Sequence, residues 1–247
     1  MSTASLRCVV AAGGPGSRAG LPYPKTLFPI RGQPILAHIL TRLASYDPWP
    51  AVIVSPDGKS PIESAIGGLG LDAEYIVQPV PKGMGDAVLC LERSQRDPTD
   101  HILLLWGDIP FIQASTIATL VARHYSDSND LTFATRVVER AYTVVRRDAA
   151  GKVLALEERR ETGLPLEYGE CDIGLFVFRR APVMECLKMD SPGKYGALTG
   201  EHGFLYVVKE IVEHGFKVAA LPIATELDLV SLNELNDVET WLVEAQT

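Results

Sequence analysis

Two apolar periodicities alternate along the first half of this chain. Residues 6–12, 51–55 and His101–Trp106 form short, nearly unbroken apolar runs, the pattern of strands buried on both faces. Between the first two, residues 34–46 repeat apolar positions at helical spacing, with Pro34 near the first turn, where a missing N–H is tolerated. Pro56-Asp57-Gly58 reads as a turn, 61–66 as a short helix, 74–78 as a strand, 85–95 as a helix and 113–126 as another. This βαβα rhythm predicts a parallel sheet with helices on both faces. The second half changes character. Residues 131–138, 142–147, Val153–Glu158 and 171–179 are strand-like and separated by turns, which suggests an antiparallel or mixed portion flanking the parallel sheet. Helical spacing returns at 181–189, 203–214 and 231–245. No clean linker is visible, so one domain over residues 1–247 is expected, divided into halves at 1–130 and 131–247.

Composition narrows the field. With 247 residues and 47% hydrophobic content the chain has material for a sizeable core. A formal net charge of −8 argues against nucleic acid as a partner. The four cysteines, Cys8, Cys90, Cys171 and Cys186, have no C-x-x-C spacing and read as buried thiols of a cytoplasmic protein. No signal peptide, no membrane-length apolar run, no internal repeat and no hexapeptide β-helix pattern is present, so no membrane association is expected.

The candidate chemistry begins where the first strand breaks into Gly13, Gly14, Gly16 and Gly20 and then presents Arg18 and Lys25. Glycines at a strand end allow a backbone to approach an anion closely, and successive N–H groups there form an anion-binding concavity. Gly14-Pro15-Gly16-Ser17-Arg18-Ala19 fits a dinucleotide fingerprint, but Pro22 and Pro24 oppose the helix that fingerprint requires. Pro24 also stands where a Walker A loop has glycine before Lys25-Thr26. A long extended loop over a nucleoside triphosphate meets neither objection, and a glycine-rich surface turn is the remaining alternative.

The stretch resembles the signature of sugar-phosphate nucleotidyltransferases, closest to the uridylyltransferase domain that acts on N-acetylglucosamine 1-phosphate. The resemblance runs through Ala11-Ala12-Gly13-Gly14-Pro15-Gly16-Ser17-Arg18, Pro24-Lys25-Thr26-Leu27-Phe28-Pro29-Ile30 and Gly32-Gln33-Pro34. It implies a Rossmann-like α/β fold of the nucleotide-diphospho-sugar transferase type, a mainly parallel mixed sheet with a smaller β-rich acceptor-binding lobe. Residues 1–130 would then bind nucleotide and 131–247 the acceptor. Arg18 and Lys25 are implied as catalytic, and Ala11, Ala12, Gly13, Gly14, Gly16 and Ser17 as nucleotide-binding.

Further matches follow. Gln78-Pro79-Val80-Pro81-Lys82-Gly83-Met84-Gly85-Asp86-Ala87 resembles the base-reading segment, with Gln78 and Gly83 against the base edge and with Met84 and Asp86 in place of threonine and histidine. Trp106-Gly107-Asp108-Ile109-Pro110 matches the family's G-D-x-P, which implies Asp108 as a magnesium ligand in the nucleotide site. The second metal carboxylate is expected at Asp228; Ser231 aligns with the family's asparagine, or caps a last helix with Glu234. On the acceptor side the resemblance implies Trp106, Glu158, Glu170 and Asp172, although 157–161 also reads as a charged hairpin. The expected reaction transfers a nucleoside monophosphate, from UTP by preference, to a sugar 1-phosphate or similar phosphorylated acceptor. Cytidylyl or guanylyl transfer to another phosphate or phosphonate, and an inactive nucleotide sensor, remain open, as does a homo-oligomeric state.

Overall fold

The computed structural model describes residues 6–14, 16 and 20–232. A seven-stranded sheet runs through it in the order β11-β7-β10-β6-β1-β4-β5. The strands of the first half are β1 (Leu6–Ala11), β4 (Ala51–Val54), β5 (Glu74–Val77) and β6 (His101–Trp106). The second half contributes β7 (Leu131–Ala141), β10 (Glu167–Arg179) and β11 (Val218–Leu221). β10 runs antiparallel to both β6 and β7, while β11 lies parallel to β7. The remaining pairings are parallel, as the apolar runs predicted. Two small ribbons stand apart: β2 (Pro29–Ile30) with β3 (Gln33–Pro34), and β8 (Thr143–Arg147) with β9 (Val153–Glu158).

Strand alternation feeds two separate cores. Cys8, Val10, Leu103, Leu105, Leu175 and Val177 pack on one face. There they meet α1 (Ile35–Leu43), α2 (Pro56–Gly67) and α4 (Ala114–Ser126). Val9, Ile102, Leu104, Phe176 and Phe178 point the opposite way, toward α3 (Met84–Leu89), α6 (Arg180–Lys188) and α7 (Val207–Glu213). Successive residues of a strand face opposite sides, so a strand apolar at every position needs a helical layer on each.

Local departures from the sequence expectations have physical reasons. Pro56-Asp57-Gly58 is not a free turn but the start of α2: Ser55 accepts the Gly58 N–H at 3.1 Å, Pro56 supplies a preset φ at the first helical position, and Asp57 lies in the positive first turn. The helix expected at 85–95 is shorter, because α3 tightens into a 3₁₀ turn over Cys90–Arg93. β11 went unread because four apolar residues between a helix and a loop carry little periodic signal. A further short helix, α5 (Arg159–Thr162), follows β9. Of the helix expected at 231–245, all but the first two residues lie outside the described ones.

Candidate active site

The chain leaves β1 toward β4 and β5 on one side and returns on the other as β6, so strand order reverses between β1 and β6. In open α/β sheets the crevice at the carboxyl ends of such strands is where ligands bind. Two loops meet there. Gly107 donates its N–H to Ala11 O at 2.9 Å, which ties the end of β6 to the end of β1, and Ala12 donates to Ile53 O at 2.8 Å.

Lys25 stands on a 3₁₀ turn, Lys25–Leu27, introduced by Pro24. Its ammonium donates to Asp108 Oδ2 in an ion pair whose side chains are 22% and 12% exposed. Asp108 Oδ1 is buried and has no protein donor among the described residues; the same is true of Thr26 Oγ1 as donor or acceptor and of the Trp106 indole N–H as donor. Buried polar atoms are rarely left so, and a cluster of them marks a place where a ligand supplies the partners. The fit to a divalent cation is therefore good at Asp108, a hard oxygen donor with one free carboxylate oxygen.

The glycine loop lies alongside. A side chain at Gly14 would lie against Lys25 Cε at 3.3 Å, and one at Gly13 against Gln78 Oε1 at 3.3 Å. The Gly16 carbonyl accepts the Leu21 N–H at 3.0 Å. Ser17 and Arg18 lie outside the described residues. Gln78, 4% exposed, follows β5 and donates from Nε2 to Gly83 O at 3.1 Å and to Asp86 Oδ2 at 2.9 Å. Gly83 has φ +109°, and a Cβ there would overlap the His202 carbonyl, so only glycine presents its carbonyl to Gln78 in this way.

Beyond Asp108 opens a cavity of about 290 Å³, walled by Trp106, Tyr142, Thr143, Asp172, Asp228 and Ser231 among others. Asp172 Oδ1 accepts from the Thr143 hydroxyl at 2.6 Å and Oδ2 from the Gly174 N–H at 2.9 Å. Burial pushes its carboxyl above the usual range, and those two hydrogen bonds oppose the shift. The same burial, with Asp172 adjacent, raises the Cys171 thiol to about 12, which leaves it un-nucleophilic.

Two expected residues have other employment. Asp228 is 1% exposed and both its oxygens are engaged: the Gln113 N–H donates to Oδ1 at 2.7 Å, and Thr116 Oγ1, Thr225 N and Thr225 Oγ1 donate to Oδ2 at 2.9, 2.7 and 2.8 Å. It is an anion at the N-terminus of α4, and this donor set does not fit a shared metal. Among the described residues no group of three or more His, Cys, Asp or Glu could hold a metal ion. Glu170 is likewise committed: Arg147 donates to it bidentately at 2.9 and 2.8 Å, and Thr135 at 2.6 Å. Glu158 lies directly opposite Thr143 in the β8–β9 register, beside the cavity wall, while neighbouring Glu157 ion-pairs with Arg146 across the same hairpin. Thr143 and Asp86 were not anticipated as site residues. The signal for Asp86 was present, since it stands where the family pattern has histidine.

No helix among the described residues is long and apolar enough to cross a membrane. The "Bifunctional protein GlmU" of Paraburkholderia phytofirmans is 28% identical over 229 residues, covering 92% of this chain and 49% of that protein. The GlmU of Kineococcus radiotolerans is 26% identical over 242 residues, with 96% and 48% covered. The chain thus spans about half the length of the curated relatives it matches. Among solved structures, a putative glucose-1-phosphate thymidylyltransferase from Bacillus anthracis superimposes with a TM-score of 0.75 at 18% identity, covering 98% of this chain and 95% of that one. A UDP-glucose pyrophosphorylase complexed with UDP-glucose gives 0.71 at 15% identity, with 96% and 98% covered. These likenesses share the mixed, mainly parallel sheet between helical layers. The profile of the MobA-like NTP transferase domain matches residues 8–166, and with that segment holding the glycine loop, Lys25 and Asp108, the chain belongs to this family of nucleotidyltransferases.

Proposed function

We propose that this chain, in the cytoplasm, transfers a nucleoside monophosphate from a nucleoside triphosphate, UTP by preference, to a sugar 1-phosphate or similar phosphorylated acceptor, with release of pyrophosphate. One observation carries the reading. At the switch point of the sheet, Lys25 pairs with one oxygen of Asp108 while the other oxygen is buried without a donor among the described residues, at the mouth of the cavity that contains Asp172. A half-neutralised carboxylate beside a glycine loop suits a polyphosphate and its counter-cation. The fold neighbours described above, a glucose-1-phosphate thymidylyltransferase and a UDP-glucose pyrophosphorylase, favour that acceptor class.

An oxygen of the acceptor phosphate forms a bond to the α-phosphorus as the bond to the β-phosphate oxygen breaks, and the electron pair leaves with pyrophosphate. The attacking oxygen is already anionic, so no general base is required, and among the described residues no histidine lines the cavity. The residues' task is positioning and charge stabilisation. Lys25, with Arg18, would neutralise the triphosphate; the backbone of Ala11, Ala12, Gly13, Gly14, Gly16 and Ser17 would wrap it; Gln78 and Gly83 would meet the base. Trp106, Asp172 and Glu158 would hold the acceptor, with Glu170 supporting from behind through Arg147. Magnesium held by Asp108 would supply charge neutralisation between donor and acceptor phosphates.

The test is pyrophosphate release from UTP, CTP, GTP, ATP and TTP against a panel of sugar 1-phosphates with magnesium, read beside the thermal shift each nucleotide produces. Release with a UTP–sugar phosphate pair is expected. Nucleotide-dependent stabilisation without release under any pairing would make the chain a sensor; stabilisation by none would remove the nucleotide site.

A further inference from the structure

Gln78 carries an ambiguity that its neighbours resolve. A glutamine amide can present either its oxygen or its NH₂ to a ligand, and the choice decides which base edge it complements. Here one end of the amide lies 3.1 Å from Gly83 O and 2.9 Å from Asp86 Oδ2. A carbonyl and a carboxylate are both acceptors, so that end is the NH₂ group, and both of its hydrogens are taken. The other end, Oε1, has no donor among the described residues and points to the glycine loop, where it lies 3.3 Å from the position a Gly13 side chain would occupy.

We infer that Asp86 is a positioning residue for base selection: it locks the Gln78 amide with its oxygen toward the nucleotide, so that the site takes a base offering a ring N–H (uracil, thymine or guanine) over cytosine or adenine, whose corresponding ring nitrogen is an acceptor. This rests on the nucleotide site proposed above. The lock is built from two sides. Gly83 is held in its left-handed conformation by the 202–203 backbone, with His202 N donating to Lys82 O at 2.6 Å and Gly85 N to His202 O at 2.9 Å. Asp86, on the first turn of α3, supplies the second acceptor through Oδ2. Were the amide to turn over, Oε1 would face two acceptors at once, and both NH₂ hydrogens would point at the base.

The consequence is measurable as a ratio. Without Asp86 the NH₂ group keeps one acceptor, and the amide becomes free to turn for a base with an acceptor edge. A site built around a hydrogen-bonding edge discriminates strongly, so loosening one of two anchors should show in selectivity before it shows in anything else. The experiment is the specificity constant for UTP and CTP, with nucleotide affinities by calorimetry, in wild type, Asp86→Ala and Asp86→Asn. The asparagine can still offer its carbonyl to Gln78. Wild type should favour UTP; Asp86→Ala should lower the UTP-to-CTP ratio by about tenfold with the acceptor KM unmoved; Asp86→Asn should restore most of it. A wild type that favours CTP or ATP overturns the inference, as does a ratio in Asp86→Ala within twofold of wild type, or an Asp86→Asn that behaves like the alanine variant. If calorimetry finds no nucleotide bound to wild type, the site reading itself fails, and this inference falls with it.

Discussion

His124 should make the fold acid-sensitive in a way that one substitution removes. The side chain is fully buried on α4, with Nε2 3.0 Å from His101 Nδ1 and Nδ1 2.9 Å from the Thr132 hydroxyl. Thr132 Oγ1 accepts from Asn129 Nδ2 at 3.1 Å, so its own hydrogen is available to His124 Nδ1, and Nε2–H donates to His101. That arrangement requires a neutral ring. Burial, with His101 adjacent, depresses its pKa from 6.5 to about 4, against a smaller opposing pull from Asp130. The unfolded chain therefore binds more protons between pH 6.5 and pH 4. Stability is full above that window and falls as pH falls through it. The shift corresponds to a loss of about 2 kcal/mol by pH 5 and about 3 kcal/mol by pH 4. His124→Gln cannot take up a proton. It should cost about 1–2 kcal/mol at pH 7.5 through imperfect hydrogen bonding, and its deficit against wild type should close by about 2 kcal/mol at pH 5. Urea unfolding of both proteins at constant ionic strength, at pH 7.5, 6.5, 5.5 and 5.0, measures this directly. Parallel stability curves over that range would refute the reasoning.

The other expectations concern the site. Lys25→Ala should lower turnover by on the order of 10²-fold in the pyrophosphate-release assay, the usual cost of losing one preorganised charge-stabilising donor; unchanged turnover would remove Lys25 from that role. Asp228→Asn should cost about 1–3 kcal/mol in chemical denaturation, since it weakens a buried anion that holds four donors, and should leave the magnesium dependence of turnover as it was. A metal ligand at that position would show the reverse. Gly83→Ala should lower stability by about 1–3 kcal/mol through backbone strain and displacement of the 202–203 segment, and should weaken nucleotide binding measured by thermal shift.

What could be read in advance was whatever local pattern determines. The buried strands Leu6–Ala11 and His101–Trp106 announce themselves because every position is apolar, and the Gly107-Asp108 turn after the second follows from where such a strand must end. The employment of Asp228 could not be read that way. Its donors come from residues 113, 116 and 225, and only the packed fold decides that a carboxylate near the terminal segment seats on the N-terminus of α4. Glu170 is the same case: its match to a family motif was visible, but Arg147, 23 residues away on another strand, claims it. Asp86 was visible as a departure from pattern, and its meaning appears only when its oxygen is found on the Gln78 amide.

The two ends of the sheet also treat charge in opposite ways, and the contrast bears on function. At the amino ends of β1 and β5, Arg7 is buried against Asp47 at 3.3 Å and against Glu74, with Trp49 O at 2.5 Å. Arg96 joins Asp47 at 2.7 Å, and Ser94 and the Gln95 N–H complete Glu74 at 2.7 and 2.5 Å. Removing one member of such a network strands the others in low dielectric, so that end is rigid by construction. At the carboxyl ends, Thr26 Oγ1, Trp106 Nε1 and Asp108 Oδ1 are buried and find no partner among the described residues. Each unmet group costs on the order of 1–3 kcal/mol, a burden a ligand relieves on binding. The Arg7 network is closed on itself, whereas Thr26 Oγ1, Trp106 Nε1 and Asp108 Oδ1 stand beside the loops where a triphosphate, a cation and an acceptor would satisfy them together. Binding should accordingly stiffen the carboxyl edge and leave the Arg7 network unchanged. Hydrogen exchange with and without nucleotide would show protection gained at 12–14, 25–27 and 106–108 and none at 7, 47 and 74; protection spread evenly over both ends would contradict the division.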